Sequence, residues 1–302
     1  MRKLPYIQTS VFVDDRYQFS GNQLATFWYN EANLKLTTDE MQGIAREMNY
    51  SESTFIFNSK LKQCNAKVRI FTPGRELKFA GHPTIGTAFV MKDQNIIRED
   101  ATEGILELGI GPISVKFNVD ETISMIQNKP EFMDKFSDKN QIAEILGIAK
   151  GDILDNYPMQ AVSTGFPFLI IPLKSLEVIK SIRLDIQKQL SILENFCTQQ
   201  LLVFTKDTEH DDSHTHVRMF APAVGVIEDP ATGSAAGPLG AYLEHYKVID
   251  NHQLGDAFYF EQGFEINRPS RLKSQCLIEK SEIQNMLVAG KIRKIAVGEF
   301  YL

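Results

Sequence analysis

The sequence predicts an α+β protein made of two related halves. Three observations carry this. Val68-Arg69-Ile70-Phe71-Thr72-Pro73 recurs 149 positions later as Val217-Arg218-Met219-Phe220-Ala221-Pro222. Each copy is followed by a small-residue, Gly-containing turn and an apolar run: Ala80-Gly81-His82-Pro83-Thr84-Ile85-Gly86 in the first half, Ala231-Thr232-Gly233-Ser234-Ala235-Ala236-Gly237-Pro238 in the second. Strands outnumber helices and do not alternate with them regularly, which argues against a doubly wound parallel sheet.

The elements follow in order. Tyr6 to Val13 reads as a first strand and Leu24 to Tyr29 as a second apolar run, with Asp14-Asp15 and Ser20-Gly21-Asn22 as turn chemistry between them. Thr37 and Glu40 form a capping box. Met41, Ile44, Ala45 and Met48 follow at helical spacing, and Asn49 suits the stop. Ser51 to Phe57 is rich in β-formers. Glu194 to Lys206 and Ala257 to Ile266 carry strand-like stretches, whereas Gln141 to Ile148 and Pro172 to Gln189 read as partly helical. Pro83 suits the first position of a helix, which sets His82 at or near the N-cap. Pro238 places the start of the second-half helix close to it.

Composition excludes several classes. The 302 residues are 43% apolar and 23% charged, an ordinary globular balance able to bury a sizeable core. A net charge of -6 without a long basic run argues against nucleic-acid binding. Cys64, Cys197 and Cys276 are few, odd in number and far apart, which favours a reducing compartment. The N-terminus has no apolar signal region, and no run reaches the ~18 apolar residues of a membrane span. The expectation is a cytoplasmic protein with no membrane partner.

The two turns offer helix N-termini, whose free N–H groups and positive dipole end suit an anion, most simply a substrate carboxylate. Related by a pseudo-twofold, they are expected to converge on one cleft. Neither turn is a Walker A loop or a dinucleotide fingerprint. Glu52, between Ser51 and Ser53 and with no Lys or Arg within four residues, is a candidate proton carrier. Apolar surroundings would raise its pKa; the alternative is a solvent-facing Glu on a strand edge. His82 at a helix N-terminus is expected to be neutral and able to relay a proton or hydrogen-bond a substrate; the alternative is a capping role. Asp229 is placed to orient His82 or to bind a substrate amine or hydroxyl, unless it is merely a loop acid. His210, His214 and His216 invite a metal, but no second cluster supplies ligands, and the stretch reads as an acidic loop. No cysteine lies in either turn, so a thiol nucleophile or two-thiol racemase lacks its residues.

These segments together resemble the PhzF family, the isomerase relatives of diaminopimelate epimerase. The matching residues are Gly21-Asn22, Arg46 to Phe55, Arg69 to Pro73, Phe79 to Pro83, Glu228 to Leu239, Gln262-Gly263 and Arg268-Pro269-Ser270. One departure is Gln23, where the family often has Pro. The resemblance implies two pseudo-symmetric domains, each a sheet or barrel around a central helix. Their bounds are expected at 1–120 and 121–290, with 291–302 returning to the first. It implies a homodimer, no cofactor and no metal. It also implies that Glu52 moves a proton, as its counterpart does in isomerising a dihydro-hydroxyanthranilate, with Ser51, Gly81, His82, Asp229, Gly233 and Ser234 lining the pocket. Thr232 joins the substrate-binding set from the turn itself. The favoured function is a cofactor-independent isomerase of a small carboxylate-bearing substrate. The alternatives are an amino-acid or hydroxy-acid epimerase and a binding protein without turnover.

Overall fold

The computed structural model of the chain describes residues 2–28, 35–280 and 282–302. Tyr29, which closes the second apolar run, and Met1 lie outside them. The chain forms two compact units: Met1–Met125 with Ala289–Leu302, and Ile126–Val288. The fold is α+β, and each unit wraps a sheet around a central helix.

In the first unit β1 (Lys3–Val13) turns back antiparallel onto β2 (Asn22–Trp28). Helix α1 (Thr38–Met48) then crosses to β3 (Glu52–Phe57), which lies parallel to β2, with Leu24 opposite Glu52. Strand β4 (Ala66–Phe71) is antiparallel to β3, and the short β5 (Glu76–Leu77) pairs with β4. After helix α2 (Gly81–Asp93) come β6 (Glu103–Leu108), β7 (Gly111–Phe117) and β8 (Thr122–Gln127). The order β1-β2-β3-β4-β6-β7-β8 continues to β16 (Glu282–Tyr301), whose C-terminal part pairs back onto β1, closing a barrel.

Helix α1 starts where its capping box predicts. The Thr37 N–H donates to Glu40 Oε2 at 2.9 Å and the Glu40 N–H donates to Thr37 Oγ1 at 3.2 Å. It ends at Asn49, whose φ of 52° is left-handed and whose N–H reaches Ala45 O. Its apolar stripe, Met41, Ile44 and Ala45, packs on Phe27, Phe55 and Phe71 of the sheet. Thr37→Ala is expected to lower stability by about 1 kcal/mol, read as a lower urea midpoint at constant slope.

Helix α2 is buried on nearly all sides, as expected of a helix without a polar face. A Cβ on Gly86 would lie 2.6 Å from Leu24 Cδ2 and 2.7 Å from Val11 Cγ2, so only glycine admits the barrel wall this close. The hydroxyls of Thr26, Thr54 and Thr87 join wall and helix through contacts of 2.9 and 2.8 Å. Buried hydroxyls that pair with each other avoid the cost of stranded polar groups.

The second unit repeats this plan. After β9 (Glu131–Lys135) and α3 (Lys139–Leu146), β10 (Gln160–Ser163) is antiparallel to β11 (Pro167–Pro172). Helices α4 (Leu176–Ser181) and α5 (Ile186–Ile192) cross to β12 (Leu201–Thr205), parallel to β11. Then follow β13 (Thr215–Phe220), the buried helix α6 (Gly233–His245), β14 (Ala257–Gln262) and β15 (Ser270–Glu279). The same sequence of antiparallel, crossover, antiparallel and helix occurs in both units, and both central helices have 13 residues. The repeated hexapeptide has one local structure. Arg69 and Arg218 each lie over the phenylalanine two residues on, at 5.1 and 5.0 Å, and each makes a two-bond pair with a glutamate ahead of the turn, Glu76 or Glu228.

Some element bounds differ from the sequence reading. Helix α2 begins two residues earlier, with Ala80 as its cap and Pro83 third in the helix. The first three helical N–H groups have no intrahelical acceptor, so Pro is tolerated at each of them and does not fix the start. Helix α6 begins at Gly233, which leaves Pro238 inside it and removes the donor that Ser234 O would receive. Residues 194–200 are not strand, and β12 starts only at Leu201. Strand β14 stops at Gln262, before a 3-10 turn over Phe264–Ile266. His216 belongs to strand β13 and is fully buried, not part of an acidic loop.

Candidate active site

In the first unit, parallel β2 and β3 and helix α2 bring their N-terminal ends to one place. Asn22 opens β2, Glu52 opens β3, and His82 is the second residue of α2. Glu52 Oε2 lies 3.3 Å from His82 Nδ1, and Asn22 Nδ2 lies 3.3 Å from the same nitrogen. The His82 side chain is 4% exposed and that of Glu52 13%. The carboxylate is thus within reach of a ligand, whereas the imidazole sits behind it. Ser51 is half-buried one residue before Glu52, and Gly81 is buried in the first turn of α2.

Burial pushes the His82 imidazole down to about 3, with the Gln23 backbone pulling only partly the other way. The ring is therefore neutral at physiological pH. The sequence suggests the helix dipole as the reason; the structure adds desolvation by burial. His82 Nε2 is buried with no hydrogen-bond partner. A stranded ring nitrogen costs about 1–3 kcal/mol.

In the second unit Asp229, Thr232, Gly233 and Ser234 form the turn into α6. The Thr232 hydroxyl donates to Asp229 Oδ2 at 2.6 Å, and the Asp229 N–H reaches Met219 O at 3.1 Å. Asp229 is 6% exposed. Thr232 caps α6, with Gly233 first and Ser234 second in the helix. Next to this turn lies a buried ionic cluster. His216 Nδ1 is 2.8 Å from Glu261 Oε1, and its Nε2 is 2.9 Å from Glu265 Oε1. Arg218 grips Glu228 with two bonds of 2.8 Å and donates to Ile179 O.

Sequence reasoning named Glu52, His82 and Asp229 but assigned no part to Asn22, Gln262 or the His216 cluster. Asn22 was visible as a turn residue and in the family-matching Gly21-Asn22, but not as a partner of His82, which lies 60 positions away. Glu261 and Glu265 are 45 and 49 positions from His216, so no spacing rule links them. Among the described residues, no group of three or more His, Cys, Asp or Glu side chains is arranged to hold a metal ion. Among the same residues no helix is long and apolar enough to cross a membrane.

A barrel around a buried helix defines a fold class that a probable proline racemase shares. That protein, from Agrobacterium radiobacter, superposes with a TM-score of 0.62 over 99% of this chain and 93% of its own, at 8% identity, which shows the fold alone. The phenazine biosynthesis-like protein family (PhzC-PhzF) matches residues 10–297, and the chain belongs to it. Over its full length it is 34% identical to an uncharacterized isomerase of Clostridium acetobutylicum, covering 99% of that protein. It is 31% identical to the trans-2,3-dihydro-3-hydroxyanthranilate isomerase of Pseudomonas aeruginosa, over 98% of this chain and 99% of that one. A Bacillus anthracis structure of the PhzF family superposes with a TM-score of 0.90 at 26% identity, covering 100% of both chains. The family is one of isomerases.

Proposed function

We propose that the protein isomerises a small carboxylate-bearing substrate by moving a proton, with Glu52 as the carrier. The observation that supports this most is the Glu52–His82 contact of 3.3 Å beside an unpartnered, buried Nε2. Glu52 takes a proton from a carbon made acidic by a neighbouring double bond or carbonyl, its partly exposed carboxyl exchanges that proton with solvent, and it then delivers a proton elsewhere on the same substrate. His82, neutral, hydrogen-bonds the substrate or relays the proton. The N-terminus of α2 faces the substrate carboxylate. The Asp229–Ser234 turn is assigned to the binding of polar groups of a ligand. This reading needs no cofactor, because the substrate's own unsaturation holds the electrons after deprotonation.

A lack of symmetry favours one base over two. Against the duplicated hexapeptide, Ser53 lies opposite Phe71 and Leu201 opposite Phe220, so the residue of the second unit equivalent to Glu52 is Gln200. The second residue of α2 is His82, and that of α6 is Ser234. The second unit thus holds an amide where the first holds its carboxylate, and a glutamine cannot act as a base, which speaks against epimerisation by opposed bases.

The test is incubation in deuterated water, first with trans-2,3-dihydro-3-hydroxyanthranilate and then with a cell metabolite extract. The expected result is an isomer carrying one new deuterium, seen by NMR and mass spectrometry. No labelled product from either source would overturn the proposal.

A further inference from the structure

Gln262, the last residue of β14, is 2% exposed and closes on both ends of the Asp229–Thr232 segment. Its Nε2 donates to Asp229 O at 2.7 Å and to Thr232 Oγ1 at 3.0 Å. Its Oε1 accepts from the Thr232 N–H at 3.2 Å. The partners fix the orientation of the amide. A backbone carbonyl can only accept and a backbone N–H can only donate, so the side chain cannot be flipped.

That orientation has a chemical consequence. Thr232 Oγ1 already accepts a hydrogen from Gln262, so its own proton must point elsewhere, and it lies 2.6 Å from Asp229 Oδ2. A hydroxyl held as a donor favours the ionised form of the carboxylate that receives it. The backbone is built for this reach. Gly263 has a φ of +82°, and a Cβ there would stand 2.4 Å from Arg268 O and 2.6 Å from Pro230 O. On the other side of the segment, the Glu228–Arg218 pair holds the residue before Asp229.

We propose that Gln262 is a positioning residue: through Thr232 it keeps Asp229 an ionised, fixed acceptor for a hydroxyl or ammonium group of the substrate. This rests on the reading that Asp229 contacts substrate.

The test uses Gln262→Met, which keeps length and burial but has no amide, with Asp229→Asn as control. The Asp229 carboxyl is titrated by carbon-13 NMR, its signal assigned by its loss in Asp229→Asn. The expected result is a midpoint that moves upward in Gln262→Met, together with a fall in kcat/KM of about 10- to 100-fold. A purely structural role would lower the melting temperature and leave that midpoint in place, and an unmoved midpoint overturns the proposal. If Gln262→Met does not fold, Thr232→Val removes the hydroxyl and spares the clamp on the backbone. It must shift the midpoint the same way, and failure to do so is equally fatal. Full turnover in Asp229→Asn would instead reject the substrate contact while the titration still judges Gln262.

Discussion

Glu52→Gln is expected to lower turnover by about 10²–10⁴-fold, the range that one general acid–base group supplies, while the unfolding temperature stays nearly unchanged. Glutamine has the same shape, and at the first position of β3 its amide still reaches His82 Nδ1, which now lies 3.3 Å from the carboxylate. What it cannot do is take up and release a proton. Glu52→Asp retains the acid but withdraws it by one methylene. A displacement of this order is expected to cost about 10²-fold, since proton transfer demands hydrogen-bond distance to the reacting carbon. Steady-state turnover beside thermal unfolding of both variants separates lost chemistry from lost fold.

The second large effect is on stability. His216 is fully buried between Glu261 and Glu265. Burial opposes its charge, but the hydrogen bonds and charges of the two glutamates outweigh this and raise it from 6.5 to about 8. Glu265 is likewise opposed by burial but lowered by its bond to His216. The sign follows. The folded state binds the His216 proton more tightly than the unfolded chain does. Its contribution is therefore complete below about pH 6.5 and is lost as pH rises through about 8; a shift of this size corresponds to about 2 kcal/mol. The Glu265 shift is the same interaction seen from the partner and adds no second amount, but it extends the loss to acid pH, where the carboxylate protonates. Urea midpoints at pH 6.5 and pH 9 should differ accordingly, and His216→Gln should flatten that alkaline slope. His216→Ala is expected to cost about 3–5 kcal/mol, because it removes the cation shared by two buried carboxylates and leaves only Glu265 with another, Arg218 at 3.9 Å.

What the sequence disclosed and what it hid divide along physical lines. Local rules worked where a few neighbouring residues decide the outcome. Thr37, Glu40 and Asn49 bound α1 because capping is satisfied within one helical turn. The duplicated hexapeptide was legible because the same strand recurs in each half, although the part played by Arg69 and Arg218 emerged only with their glutamates. Proline was a poor marker of helix starts: at Pro83 its missing N–H costs nothing at any of three positions, and at Pro238 burial of the whole helix overrides it. In the first unit, Glu52 and His82 could be named because an isolated carboxylate among β-formers and a histidine at a Gly-Pro turn are unusual. Their contact could not, since 30 positions separate them. The neutrality of His82 was expected from the helix dipole alone, because dipoles can be read from a helix start and desolvation cannot. Gln262 was visible only within the family-matching pair Gln262-Gly263 and Glu261 not at all, both being polar residues of a strand end whose partners come from other elements.

The central claim is that Glu52 carries the proton. It is tested most directly by single-turnover reactions in deuterated water, with deuterium counted per molecule of product in wild type and Glu52→Gln, and with substrate affinity measured by calorimetry. The account predicts one solvent deuterium per product for the wild type, and none for a Glu52→Gln protein that still binds. Deuterium entering at the wild-type rate in Glu52→Gln would contradict it.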